Sequence, residues 1–370
     1  MPTALETKLL KQLSRSNTMR LDEFMRTALL DPKHGYYTNR KVFGKDGDFI
    51  TAPDVSQIFG EVIAAYFTAN IMAARSSKPA TLVEFGPGRG TLMHDMLRSF
   101  SSMPAELEIS EVVLVEASPR LVDIQKETLK DSHLPIRWVE SADELPESPC
   151  FIIANEFFDA LPIRQFTEKD SGWNERVITA KEDSLAWAEE NCSLPDGCEP
   201  PKAPHLHIVN QPENVEEKEK ILEYSEAVAA TTQQLSVHIS NHGGMLVAID
   251  YGHTAHGFAD TLQAVKKHKF IDVLSHVGEA DITAHVNFAL MKEVAEASSL
   301  NTHLLTTQGK FLRSLGAELR AMTLVQSADK NGQIDIASGL ERLIAPTQMG
   351  ELFKVLVVAH PELSVLELGV

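Results

Sequence analysis

The stretch VEFGPGRGTL, Val83 to Leu92, constrains the fold more than any other part of the chain. An apolar run leads into Gly86, Gly88 and Gly90, spaced one residue apart, and the helix-forming segment TLMHDMLRSF follows at once. A backbone that must lie against a ligand needs positions without Cβ, and the first N–H groups of the helix that follows then face whatever is bound. Plain turns also contain G-x-G, so the surrounding pattern has to decide.

That pattern is an alternation. TLVEF, VVLVE (Val112 to Glu116), IRWVE (Ile136 to Glu140), FIIAN (Phe151 to Asn155) and MLVAID (Met245 to Asp250) are short, mostly continuous apolar runs, as expected of strands buried on both faces of a parallel sheet. TLMHDMLRSF and SPRLVDIQKETLK supply helices between the first three. The βαβαβ alternation predicts an α/β fold with a doubly wound, Rossmann-like sheet and right-handed crossovers, whose ligands sit beyond the carboxyl ends of the strands. FKVLVVAHPEL reads as a late strand, at an edge or antiparallel.

Around this core the expected organisation is an N-terminal helical lid over residues 1–75 and a core over 76–370. The lid reading rests on two amphipathic helices before Asp31-Pro32 and a further helix from about Thr51 to Asn70. Insertions are expected at about 163–215, with β-structure around RQFTE and RVITA, and at about 253–349, mainly helical. Between them a helix is expected to carry Ile221, Tyr224, Val228, Leu235 and Ile239 on one face.

Composition excludes several partners. With 34 Lys and Arg against 52 Asp and Glu, the formal charge is −18, so a nucleic-acid backbone would be repelled. The three cysteines form no C-x-x-C pair, which suits a reducing compartment. No apolar run approaches a membrane span, and the N-terminal residues lack a signal peptide's apolar core. The expectation is a cytoplasmic protein or a mature mitochondrial matrix protein.

The candidate site follows from the strand ends. Glu84, two residues before Gly86, would repel a pyrophosphate but suit a ligand with an ammonium group, such as S-adenosylmethionine. Glu116, closing the second strand, can accept hydrogen bonds from both ribose hydroxyls. The fourth strand ends in ANEFFDALP, which puts Asn155, Glu156 and Asp159 at the ligand crevice with Phe157 and Phe158 as a wall.

GDFITAPDVSQIFGE, EFGPGRG, NEFFDALP, GGMLVAIDYG, GEADITAHVNF and TQGKFLRSLG together resemble the MidA family, over about Leu21 to Leu356. The resemblance implies a class I S-adenosylmethionine-dependent methyltransferase. For the family's mitochondrial members it also implies symmetric dimethylation of an arginine in a respiratory complex I subunit, so a protein substrate is the expected partner. It implies cofactor contacts at Glu84, Gly86, Pro87, Gly88, Gly90, Glu116, Asn155 and Thr51. Gly47, Asp48 and Phe49, with Gln57 and Glu61, would close over cofactor or substrate.

For an arginine acceptor, paired carboxylates suit the guanidinium fork, which assigns Glu156 as first clamp and Asp159 as second. Asp250 and Tyr251 either line the acceptor pocket or form a turn, and His285 is a secondary candidate beside a helix capped by Asp281 or Thr283. His238 and His242 lack a third ligand, so no metal is expected. A binding module that keeps the fold without turnover, and a nicotinamide-dependent oxidoreductase, are the rival classes. The glycine spacing and Glu84 disfavour the oxidoreductase.

Overall fold

The structure is a computed structural model that describes residues 2–39, 51–74, 76–102, 107–170, 172–201 and 220–369. By contacts the chain divides into two compact units. One comprises Ile50–Phe158, Thr231–Thr254 and Phe288–Val370; the other comprises Met1–Phe49, Asp159–Ala230 and Ala255–Asn287. The boundary expected near residue 75 therefore falls elsewhere.

The first unit is built on a central sheet whose strands are β1 (Ala80–Phe85), β2 (Ile109–Val115), β3 (Ile136–Val139), β4 (Cys150–Asn155), β5 (Gly244–His253), β6 (Asn301–Thr307) and β7 (Phe353–Ala359). Their order across the sheet is β3-β2-β1-β4-β5-β7-β6. Strands β3 to β5 of that order pair in parallel, with Val83 opposite Val113 on one side and Ile152 on the other. Strand β7 runs antiparallel to both neighbours. It lies inside the sheet because β6, from a stretch expected to be mainly helical, covers its outer side.

The strands form where the apolar runs are because both faces are covered: Leu82, Val83, Ile152, Ile153, Leu246 and Val247 have no exposed surface. On one face lie α1 (Gln57–Ala73) and α2 (Thr91–Phe100); α3 (Pro119–Thr128) follows β2. Helix α1 is capped by Ser56, whose hydroxyl accepts from the Ile58 N–H, and it buries Phe59 and Phe67, the latter edge-on to Phe151. Apolar on most of its surface, it belongs to the sheet's core rather than to a lid. Gly60 lets α1 and α2 approach, since a Cβ there would stand 2.8 Å from Asp95 Cβ.

Sequence order reverses between β1 and β4, so the crevice at their carboxyl ends is the topological switch point, where such sheets bind ligands. The glycine loop leaves from β1 and ANEFFDALP leaves from β4.

The second unit carries the two amphipathic N-terminal helices, Ala4–Ser16 and Leu21–Leu30, the first opened by a Thr3–Glu6 capping box. Its larger sheet pairs Arg164–Lys169 with Gly172–Lys181 and Ile221–Tyr224, and Gly172–Lys181 also with Ser184–Cys192 and Thr18–Arg20. Arg164 and Glu175 form a two-pronged ion pair at 2.7 and 2.6 Å across that sheet. Ile221 and Tyr224 thus lie on a strand, and the helix expected to carry them begins at Glu226. Asp281–Thr283 is likewise a strand of a three-stranded sheet, not a helix cap; the next helix is Phe288–Ala297. No helix among the described residues is long and apolar enough to cross a membrane.

One position tests how tightly β5 is seated. Gly244 opens β5 at φ +108, and a Cβ there would lie 2.0 Å from the Cys150 carbonyl oxygen. Gly244→Ala is expected to cost about 3 kcal/mol or more, because it adds both backbone strain and a backbone clash. Urea unfolding would measure it, and an unchanged midpoint would show that β4 and β5 can separate at this end.

Candidate active site

The turn after β1 owes its shape to its glycines. Gly86, Gly88 and Gly90 have φ of +61, +53 and +80, the left-handed region that side-chain-bearing residues rarely adopt. The Gly86 N–H donates to the Val115 carbonyl at 3.1 Å and the Gly90 N–H to the Pro87 carbonyl at 2.7 Å, with Pro87 buried. Gly90 is the N-cap of α2, so the first amides of that helix open onto the switch point. A Cβ on Gly86 would sit 3.0 Å from Phe157 Cδ2, and Phe157 packs edge-on to Phe85 and Phe158.

Two acids stand beside this loop. Glu84 is 3% exposed; it accepts from the Met93 backbone N–H, while its Oε2 has no hydrogen-bond partner. Burial pushes its carboxyl up to about 8, and the Glu116 charge adds to the effect. Glu116 is itself raised by burial, opposed by hydrogen bonds to its charged form. One Glu116 oxygen accepts from the Ser118 N–H at 2.8 Å and the other from the Gln125 amide at 3.1 Å.

Across the switch point, Asn155 is 8% exposed and its Oδ1 has no partner, while its Nδ2 donates to Glu156 Oε1 at 3.2 Å. The same Glu156 oxygen accepts from the Ala52 N–H at 3.0 Å. Glu156 adopts φ +51, a left-handed conformation that costs a non-glycine residue on the order of 1 kcal/mol. Its N–H is held by the Ile249 carbonyl at 2.9 Å, so sheet pairing enforces that conformation.

Thr51 donates to Asp54 Oδ2 at 3.1 Å, and Asp54 Oδ1 accepts from the Thr91 hydroxyl at 3.2 Å. This latches the short helix Ala52–Val55 to the start of α2. Thus Glu84, Gly86, Pro87, Gly88, Gly90, Glu116, Asn155, Glu156, Phe157 and Thr51 come together at the switch point.

Other expected positions lie elsewhere. Gln57 donates to Glu61, and Glu61 takes Arg98 at 2.9 Å and Arg320 at 2.7 Å, near the end of α2 remote from the glycine loop. Those bonds fasten helices together, which accounts for the buried carboxylate. Asp250 has no exposed surface and accepts from the N–H groups of Phe158 and Tyr251, at 3.0 and 2.9 Å; Tyr251 packs edge-on to Phe353.

Asp159 and His285 belong to the other unit. There the Asp159 carbonyl accepts from the Ala284 N–H, and the His285 N–H donates to the Thr261 hydroxyl. Tyr37, which donates to Asp281, has its hydroxyl pushed well up by burial, by Asp281 and by Asp159. Gly47, Asp48 and Phe49 lie outside the described residues. Among the described residues no cluster of three or more His, Cys, Asp or Glu is arranged to hold a metal.

Sequence reasoning missed Gln125 and Trp138. Gln125 donates to the Gly88 carbonyl at 2.9 Å as well as to Glu116, and accepts from the Trp138 indole at 2.9 Å. The available signal was a polar residue one turn after Leu121 on the buried face of α3.

The arrangement is one that S-adenosylmethionine can occupy. A backbone stripped of Cβ atoms borders two buried oxygens that lack donors, on Glu84 and Asn155, and a bidentate carboxylate on Glu116. A phosphate would meet two acids there.

Comparison with known proteins agrees. The model of the S-adenosyl-L-methionine-dependent methyltransferase family matches residues 62–306. The protein arginine methyltransferase NDUFAF7, mitochondrial, of Xenopus tropicalis is 33% identical over 95% of this chain and 84% of its own length. The Drosophila melanogaster homologue is 34% identical over 91% and 80%, and the Homo sapiens protein 30% over 95% and 82%. In fold, the crystal structure of a protein from Burkholderia thailandensis bound to S-adenosyl-homocysteine superposes with a TM-score of 0.80 at 24% identity, over 99% of this chain and 93% of that one. The chain belongs to the S-adenosyl-L-methionine-dependent methyltransferase family, and is an enzyme whose methyl donor is S-adenosylmethionine.

Proposed function

We propose that this methyltransferase acts on an arginine side chain of a protein, within a respiratory complex I subunit. The curated relatives are named protein arginine methyltransferases, which supports the acceptor class. The complex I reading rests on the MidA resemblance, and it requires the chain to work in the matrix or cytoplasm that the subunit faces. Three free cysteines suit either reducing compartment.

When bound, S-adenosylmethionine supplies a methyl group on a positively charged sulfur. Glu84 and Asn155 offer the two buried oxygens without donors to the ligand's amino-acid end, and Glu116 holds the ribose. The glycine loop keeps Cβ atoms out of the way, Phe157 excludes water, and Thr51 fixes the neighbouring helix start.

The observation that carries the acceptor reading is Glu156, a carboxylate at the end of β4 with a left-handed backbone and one oxygen fixed by two donors. Strain of this kind persists where the surroundings over-determine it, as at catalytic positions. In this role Glu156 grips the planar, permanently charged guanidinium and leaves the lone pair of one nitrogen aimed at the methyl. Methylation leaves the guanidinium cationic, so one N–H proton departs, and in this role Glu156 accepts it.

Glu156→Gln should leave S-adenosylmethionine affinity within about twofold and lower turnover by about 100-fold or more, the scale of losing one charge-stabilising group. Transfer to the true substrate at the parent rate would sink the assignment.

The raised carboxyl of Glu84 gives a second expectation, in the absence of ligand. Its folded value of about 8 lies above its unfolded value of 4.5, so the stability it contributes is complete below 4.5 and is lost as pH rises through about 8. Glu84→Gln cannot ionise. Its urea midpoint should therefore gain on the parent's between pH 6 and pH 9, and a constant difference would mean that Glu84 is already ionised at pH 6.

A further inference from the structure

Gln125 has no exposed surface, and each polar atom of its side chain is matched. Its Oε1 accepts from the Trp138 Nε1–H at 2.9 Å, while its Nε2 donates to the Gly88 carbonyl at 2.9 Å and to Glu116 Oε2 at 3.1 Å. An indole N–H can only donate, so the amide oxygen must face Trp138 and the orientation of the amide is settled by chemistry. Both amide N–H bonds then point at acceptors, one on the glycine loop and one on the acid. The loop rests on the same side chain: a Cβ on Gly90 would lie 3.6 Å from Gln125 Cγ.

The second oxygen of Glu116 accepts from the Ser118 N–H at 2.8 Å. A carboxylate offers about four acceptor positions. The N–H groups of Ser118 and Ala117 and the Gln125 amide set the plane of the group and hold its two oxygens side by side. A vicinal diol, with two adjacent O–H donors, matches the two oxygens; a deoxyribose, with one, does not.

We infer that Gln125, oriented by Trp138, is a positioning residue that gives this site its selectivity for the ribose diol, by holding Glu116 and the Gly88 peptide as one unit. The inference rests on Glu116 being the ribose-binding acid. A buried glutamine that merely fills the core would support the fold and both kinds of sugar alike. A positioning glutamine supports the diol in particular.

Titration calorimetry on the full chain separates the two. The probes are S-adenosylhomocysteine and its 2′-deoxy analogue, and the quantity read is the ratio of their dissociation constants. Hydrogen bonds to a charged group set the scale, so Gln125→Met should lower that ratio about tenfold. Trp138→Phe keeps a ring in the half-buried pocket but removes the N–H that orients the amide; it should lower the ratio in the same direction by less. If Gln125→Met does not fold, Trp138→Phe decides.

An unchanged ratio in the folded variants, or equal weakening of both ligands, overturns the inference. Glu116→Gln is run beside them. A ratio that collapses there and holds in the others rejects the role of Gln125 alone, whereas a ratio that holds in Glu116→Gln rejects the ribose assignment and this inference with it.

Discussion

The site depends on a backbone that turns left-handed at alternate residues as it leaves β1. Gly86, Gly88 and Gly90 make that path possible, and each is used by a neighbour. Phe157 occupies the space that a Cβ on Gly86 would need, Gln125 and Leu129 lie against Gly90, and the Gly88 carbonyl is turned to receive the Gln125 amide. A side chain at Gly86 would therefore act twice, by straining φ and by pressing on Phe157, whereas at Gly90 the cost is the strained φ. The glycines are required by packing as much as by the ligand.

The electrostatics of the pocket follow from that closeness. Glu84 is buried behind the loop with one oxygen unpartnered, and Glu116 stands near enough to raise it further. Burying a carboxyl without partners is costly, and a second acid nearby increases the cost unless a cation or a set of donors arrives. A ligand with an ammonium group at one end and a diol at the other relieves both acids at once. The same pair of acids is an energetic penalty for a pyrophosphate, which is why one acidic residue before Gly86 separates a methyl donor from a nicotinamide dinucleotide.

Much of this was legible in the sequence because it is local. Runs such as LVEF and FIIAN are apolar on both faces, and only a covered sheet has use for that; the glycine spacing and the acids at strand ends then locate the crevice. What was misread depends on distant partners. Ile221 and Tyr224 are three residues apart, a spacing equally suited to a helix face, and pairing with Arg164–Lys169 decides for strand. Asp281 and Thr283 look like helix caps until Gln263–Lys266 pairs with them. FKVLVVA reads as a strand at an edge or antiparallel; it is antiparallel, and it is not at the edge because β6, which nothing in its own residues announces, covers its far side. Gln125 stayed hidden since its three partners come from β3, the glycine loop and the residue after β2.

Both excursions from the sheet unit leave at carboxyl ends of strands, after Phe158 beyond β4 and after Thr254 beyond β5, so the hydrogen-bond ladder of the sheet is never interrupted. The first exit is fixed by Asp250, a carboxylate with no exposed surface on β5 that accepts from the Phe158 N–H. Glu156 lies two residues before that exit. Its N–H is tied to β5 through Ile249, and its carboxylate to Ala52 and Asn155. The backbone of Glu156 is thus held by the pairing of β4 with β5, and one of its carboxylate oxygens by Ala52 and Asn155. Such fixing suits the role proposed for Glu156 of orienting a guanidinium, since an acceptor nitrogen displaced by an ångström loses most of the advantage of alignment.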